Sequence, residues 1–461
     1  MPTFNYKTLA LAVAALGAMH TAHSAGLDRS GQDVTAFLQD GTYAEAVYTY
    51  IDADISGKDT AGRDTGDIAE AYDFFRYGVK TDINDTFSVG VLYDEPFGAA
   101  VQHFGSSNFI SEGADATVAA LTGGRVPNAA AAQVALGQAQ QGIGRLQAAI
   151  AAQTAAGNTA AVQQLQAQLQ QADAQARQLG AAANAAATAE TQKGQGTNVE
   201  IRTNNITALL GAKFGANKNF QIYGGPVAQR LNGEVHLRGT AYQGATGYDA
   251  KISQDQAVGW AAGVAYSKPE IALKAALTYR SEIEHNSQIA EVFPALGAAG
   301  VKTQDFSVTL PESYNLDFQT GINPTTLLTA KVRYVPWSDF SINPTLYTAT
   351  AGTPIISYDK DQWQAEIGFG KKLSDKVSVS GSIGYDSGAG DPVSSLGPVD
   401  GYYSVGLGAK YSFTPEWSLS LGGKYLKFGD ATAQLPTKAV AGQFEDNDGF
   451  IAGVKLAYHA K

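Results

Sequence analysis

The chain has 461 residues, 43 acidic against 32 basic side chains, a formal net charge of −11, six histidines and no cysteine. The lack of cysteine excludes disulfides, thiol nucleophiles and thiolate zinc sites, and the acidic balance argues against a nucleic-acid partner. The histidines are scattered with no HExxH pair, and no Gly-x-Ser-x-Gly elbow occurs, so no catalytic residue, metal or cofactor is assigned.

At the N-terminus, Lys7, the apolar run from Leu9 to Met19 and the small residues around Ala22 and Ser24 predict a secretory signal peptide over 1–24. No later stretch offers about twenty uninterrupted apolar residues, so no transmembrane helix is expected.

From Ala44 onward one unit repeats: about ten residues alternating apolar with small or polar, then a turn. Trp417, Leu419, Leu421 and Tyr425 make one parity greasy, while Ser418, Ser420, Gly422 and Lys424 make the other wet. Phe450, Ala452, Val454, Leu456 and Tyr458 repeat the pattern in the last unit. Units begin near Ala44, Ile68, Phe87, Glu200, Phe220, Val258, Ile271, Tyr314, Leu327, Trp363, Val377, Tyr403, Trp417 and Phe450. Tight turns such as Asp82-Ile83-Asn84-Asp85, Asn323-Pro324-Thr325 and Thr414-Pro415-Glu416 alternate with long loops, among them Glu282 to Ser313, Pro336 to Asp361 and Gly429 to Asp448. An even count with segregated loop lengths predicts an all-β fold, a 14-stranded antiparallel transmembrane β-barrel over 44–461 in the bacterial outer membrane. Trp363, Trp417, Tyr403, Tyr411 and Phe413 near strand ends suit an interfacial girdle.

The segment 127–194, between the third and fourth units, is dominated by Ala and Gln. Leu136, Ala139, Ile143, Leu146 and Ile150, then Val162, Leu165, Leu169, Ala172, Ala176 and Leu179, step by three and four. This predicts an extracellular α-helical hairpin of coiled-coil character, broken at Gly157 and restarted by Asn158 or Thr159 as a cap. It suits a cap over the barrel mouth, an adhesin-like spike for a partner, or an insertion tolerated in an outer loop.

The run Arg76-Tyr77-Gly78-Val79-Lys80-Thr81-Asp82-Ile83-Asn84-Asp85, continued by Phe87-Ser88-Val89-Gly90-Val91 and Tyr93-Asp94-Glu95-Pro96-Phe97-Gly98-Ala99, resembles the FadL family of outer-membrane transporters. Ala25-Gly26-Leu27-Asp28-Arg29-Ser30-Gly31 and Tyr223-Gly224-Gly225-Pro226 are similar to the same family, and the likeness runs over most of the mature chain. The resemblance implies a monomeric barrel plugged by an N-terminal hatch, here 25–43, shorter than is usual and without the Asn-Pro-Ala motif of many members. It also implies a third strand kinked inward, leaving a lateral gap toward outer-membrane lipid. Asp94, Glu95, Pro96 and Gly98 suit that kink, since Pro96 cannot donate to a ladder and Gly98 tolerates a bulge.

The inward parity carries Arg76, Lys80, Lys213, Lys274, Arg280, Lys331, Arg333, Lys410, Lys424 and Lys455, against fewer acids, chiefly Glu45, Asp317 and Glu366. A basic lumen draws an anion, and a fatty-acid carboxylate is one. Lys331, Arg333, Lys274, Arg280 and Arg230 are therefore the candidate carboxylate ligands, although lumen cations also build ion-pair networks. Leu27, Val34, Phe37 and Leu38 of the hatch, with Leu92 and Phe97 at the kink, are the candidate tail contacts. The expected function is passive, ligand-gated uptake of long-chain fatty acids. Uptake of uncharged compounds such as aromatic hydrocarbons, or partner binding through the hairpin, are the alternatives.

Overall fold

The computed structural model describes residues 27–460; the expected signal peptide and Ala25 and Gly26 of the hatch lie outside the described residues. Alternating burial runs through the strands because one side chain in two faces lipid. The barrel strands are β1 (Thr42–Asp54), β2 (Tyr72–Asp82), β3 (Phe87–Asp94, resuming at Gly98–Gln102), β4 (Asn198–Phe214) and β5 (Phe220–His236). They continue through β6 (Asp249–Lys268), β7 (Leu273–Arg280 and Ile283–Val292), β8 (Val301–Leu310 and Ser313–Asn323) and β9 (Thr326–Val335). The circuit ends with β10 (Gln362–Lys372), β11 (Val377–Asp386), β12 (Tyr402–Ser412), β13 (Trp417–Phe428) and β14 (Asp448–Ala460). β1 pairs antiparallel with β14 from Thr42↔Ala460 to Asp54↔Asp448 and with β2 from Tyr43↔Lys80 to Ile51↔Tyr72, so the 14-stranded barrel is closed.

Phe75, Tyr77 and Val79 on β2, Ile206 and Leu210 on β4, and Leu407 on β12 stand exposed on the outer parity. So do Trp363, Tyr403, Tyr411, Phe413 and Trp417. In water this belt would be an aggregation surface; around a closed barrel it is the lipid-facing band. Inward, Ser378, Ser380, Ser382, Lys410, Lys424 and Lys455 are buried, as the wet parity requires.

One expected loop is not a loop. Within Glu282 to Ser313, Ile283–Val292 pairs with Val301–Leu310, and β7 and β8 extend far beyond the membrane band. Breaks at Ser281-Glu282 and Pro311-Glu312 resemble loop boundaries, and beyond the lipid the outer face of a strand has no reason to be apolar. The strand starts also shift, from Ile68 to Tyr72 in β2 and from Val258 to Asp249 in β6.

The long connections fold into a cap. Gly57–Asp59, Val393–Ser394, Ala431–Gln434 and Val440–Phe444 form a four-stranded sheet. Phe109, Leu237, Tyr248, Phe293, Trp337 and Phe444 fill the core beneath. Helix α1 (Ala114–Leu121) is followed by α2 (Ala129–Ala155) and α3 (Thr159–Thr191). Asn128 Oδ1 accepts the Ala131 N–H at 2.8 Å, Gly157 turns the chain with φ 71°, and Asn158 Oδ1 accepts the Ala161 N–H at 3.2 Å. Leu179, Ala182 and Ala186 of α3 are buried at the base, whereas Leu136, Ile143, Leu146, Leu165 and Leu169 along the seam are only half-buried. At 1.5 Å per residue the arms reach about 40 Å or more, held together by a thin contact.

His103, just after β3, is buried in the cap, its ring 4.4 Å from Phe109 and its Nε2 3.2 Å from the Ser395 carbonyl. Burial pushes its pKa down from 6.5 to about 4. The unfolded ring therefore takes up its proton before the folded one, and cap stability falls as pH drops from 6.5 to 4, by up to about 3 kcal/mol. Hydrogen exchange at Thr197, whose N–H bonds the Phe109 carbonyl, should gain opening events across that window, and His103→Gln should abolish the gain.

Candidate functional site: hatch, kink and lumen

The site begins where β3 cannot continue. From Phe87 to Asp94 it pairs with β4 one residue out of register with the later pairing of Gly98–Gln102, so Glu95, Pro96 and Phe97 stand against Thr203 and Asn204. That extra residue, at a proline without an N–H, bends the strand inward. Glu95, Pro96, Phe97 and Gly98 are all buried. On the other side, the β2–β3 ladder ends at Tyr77↔Tyr93. It is replaced above by the isolated bridge Ala69↔Val101. Between them β2 faces β3 without a ladder, and the Glu95 carboxylate accepts the Phe75 N–H.

The hatch supplies the partners that β3 lost. Gly98 N–H donates to the Leu27 carbonyl and Arg29 N–H to the Pro96 carbonyl, both at 2.7 Å, and Ser30 Oγ donates to Asp94 Oδ2 at 2.8 Å. Small wall residues admit the hatch. A Cβ on Gly78 would lie 2.8 Å from Ala36, and one on Gly90 would lie 2.7 Å from Phe37.

Lumen cations then fasten it. Arg333 forks onto Asp28, with Nη2 3.0 Å from Oδ1, and also reaches Gln32 and Asn315. Lys331 Nζ lies 2.7 Å from Asp33 and 3.1 Å from Asp317. Lys80 donates to the Gln39 and Gly41 carbonyls, Lys274 to the Leu38 carbonyl, and Lys213 sits 3.2 Å from Asp40.

Two cavities flank this assembly. One, of about 70 Å³, has a wall made mainly of charged and polar residues, Asp28, Arg29, Asp33, Lys331, Arg333 and Lys424 among them. A second, of about 60 Å³, is largely apolar, with Leu27, Ile55, Ile68, Val101, Leu396 and Val399 in its wall. Arg29 lines both.

No family model matches the sequence, and no curated protein matches it significantly. Solved structures do match over nearly the whole chain. A Pseudomonas aeruginosa FadL homologue aligns with 99% of this chain and 98% of its own at 15% identity and TM-score 0.62. The toluene transporter TodX of P. putida aligns at 13% identity over 92% of this chain and 91% of its own, TM-score 0.52. The Ralstonia pickettii toluene transporter TbuX aligns at 11% identity over 99% of this chain and 100% of its own, TM-score 0.53. This chain has the FadL-type fold. At these identities the likeness is one of architecture: a closed outer-membrane barrel with an N-terminal hatch.

The FadL-type frame sorts the expected site residues. Lys331 and Arg333 border the polar cavity but already hold hatch carboxylates. Arg280 is buried and donates to Thr207 Oγ1 at 2.9 Å. Arg230 is a correction: it is exposed, on the outward parity of β5, because its neighbours Gln229 and Leu231 take the inward places. Val34, Phe37, Leu38 and Leu92 pack with Leu209 and Tyr223 in a buried cluster that wedges the hatch against the wall. Leu27 lines the apolar cavity, and Phe97 sits edge-on to Trp337 at 5.6 Å. Arg29 and Tyr72 were not singled out from the sequence, although Arg29 is the one basic residue in 25–43.

Removing one partner of a buried ion pair strands the other. Asp28→Asn should therefore loosen the hatch by about 3–5 kcal/mol, and Asp28→Asn with Arg333→Met by clearly less. Hydrogen exchange over residues 27–41 of the detergent-solubilised protein measures both.

Proposed function

We propose that this protein takes up hydrophobic small molecules, long-chain fatty acids foremost, as a monomer and without covalent chemistry. Cargo leaves sideways into the membrane between β2 and β3. The observation that carries this reading is the missing ladder between Tyr77↔Tyr93 and Ala69↔Val101, next to the apolar cavity. A closed barrel in lipid ordinarily leaves no strand edge unpaired, so an interruption at membrane depth is a doorway in need of a use. The names of TodX and TbuX as toluene transporters support hydrophobic cargo in this fold. An anionic head favours fatty acids over neutral hydrocarbons. A carboxylate entering the polar cavity competes with Asp28 and Asp33 for Arg333 and Lys331, which loosens the hatch as the cargo arrives.

The chain lacks cysteine, so the doorway can be latched cleanly. Phe75→Cys with Glu95→Cys joins the strands where the ladder is missing. Oleate uptake should collapse in the oxidised protein and recover on reduction; full uptake with the latch closed would place the exit elsewhere. Removing the distal arm, residues 133–178, behind a short linker keeps the buried base at Leu179 onward. If the arm gathers ligand, oleate uptake falls at unchanged barrel levels, and an unchanged rate removes it from transport.

A further inference from the structure

The gap between β2 and β3 is filled by a stack of three side chains. Tyr72, at the start of β2, is 1% exposed. The Arg29 guanidinium lies 5.5 Å from its ring centroid and that of Arg202, on β4, 4.9 Å. The two cations differ in setting. Arg29 is 4% exposed at the junction of the two cavities. Among the described residues its guanidinium makes one hydrogen bond, from Nη1 to the Asp28 carbonyl at 3.2 Å; its Nε has none, and no carboxylate pairs with it. The Asp28 carboxylate is taken by Arg333. Arg202 is 41% exposed at the side chain and pairs with Glu200 at 2.7 Å. One guanidinium thus belongs to the lumen and the other to the outside, no more than about 10 Å apart across one ring.

No hydrogen bond anchors the ring. The Tyr72 hydroxyl is buried with no hydrogen-bond partner. Its seat exists because residue 98 is glycine, where a Cβ would stand 2.9 Å from that hydroxyl and 2.9 Å from the Ile201 carbonyl. Cation–π contact of this kind contributes about 0.5–2 kcal/mol, and the ring also packs in the apolar core with Phe74 and Phe97, so it moves when that packing yields and breaks no hydrogen bond in doing so. A buried guanidinium without a counter-ion is costly, and an incoming carboxylate relieves that cost with two parallel hydrogen bonds.

We propose that Arg29, Tyr72 and Arg202 form a charge-selective relay in the lateral doorway. Arg29 takes the anionic head of an amphiphile whose tail lies in the apolar cavity, Tyr72 swings aside, and Arg202 receives the head at the lipid side. This rests on the sideways-exit reading above and adds which residues select the head.

Oleate and methyl oleate share a tail and differ in charge, so the ratio of their uptake rates in cells isolates the relay. Arg29→Gln should lower that ratio by about tenfold or more, the loss of one hydrogen bond to a charged group. Arg29→Lys should hold most of it. Arg202→Gln should slow oleate uptake while oleate binding to the purified protein persists. Barrel folding is verified for each variant by its heat-modifiable gel mobility. A folded Arg29→Gln protein with an unchanged ratio overturns the relay. If the oxidised latch between β2 and β3 stops both ligands while that ratio holds, the relay alone is wrong; if the latch stops neither, the sideways exit is wrong as well.

Discussion

Inward cations on β2, β7 and β9 would repel one another in a shielded lumen, and the hatch, together with wall acids such as Glu45 and Asp317, compensates them. Asp28 and Asp33 lie opposite Arg333 and Lys331, and the hatch carbonyls of Leu38, Gln39 and Gly41 receive Lys274 and Lys80. Charge compensation of this kind is strong when complete and costly when half-made. The barrel and its plug are therefore one electrostatic object, and whatever competes for the wall cations acts on the plug.

The same logic explains why the kink and the hatch meet. Pro96 removes a donor and the bulge removes a register, so the backbone around Pro96 and Gly98 needs partners at membrane depth. Leu27 and Arg29 provide them. The cost of interrupting the wall at one place is offset by the segment that fills the lumen, so the kink and the plug share backbone hydrogen bonds.

The barrel was legible because lipid imposes a period-two code on every strand, from Trp417–Phe428 to the closing unit that ends at Ala460. The inward set was legible by subtraction. The code stops where the lipid stops, so the extended arms of β7 and β8 read as loop. Arg230 reads as a candidate carboxylate ligand, whereas its parity on β5 puts it outside. The roles of Arg29, Tyr72 and Arg202 depend on contacts between segments far apart in sequence, Leu27–Arg29 with Pro96–Gly98 and Tyr72 with Arg202. No local pattern announces them.

The plug also constrains how the molecule is built. Arg333 and Asp28 are separated by 305 positions and Lys331 and Asp33 by 298. β1, which directly follows the plug, finds its second neighbour only when β14 arrives. The plug is thus seated late: until β8 and β9 are in place, Asp28 and Asp33 lack their Arg333 and Lys331 partners and the N-terminal chain is left dangling. Threading order, and not merely final energy, decides whether the lumen closes on its own plug or on a stranger's.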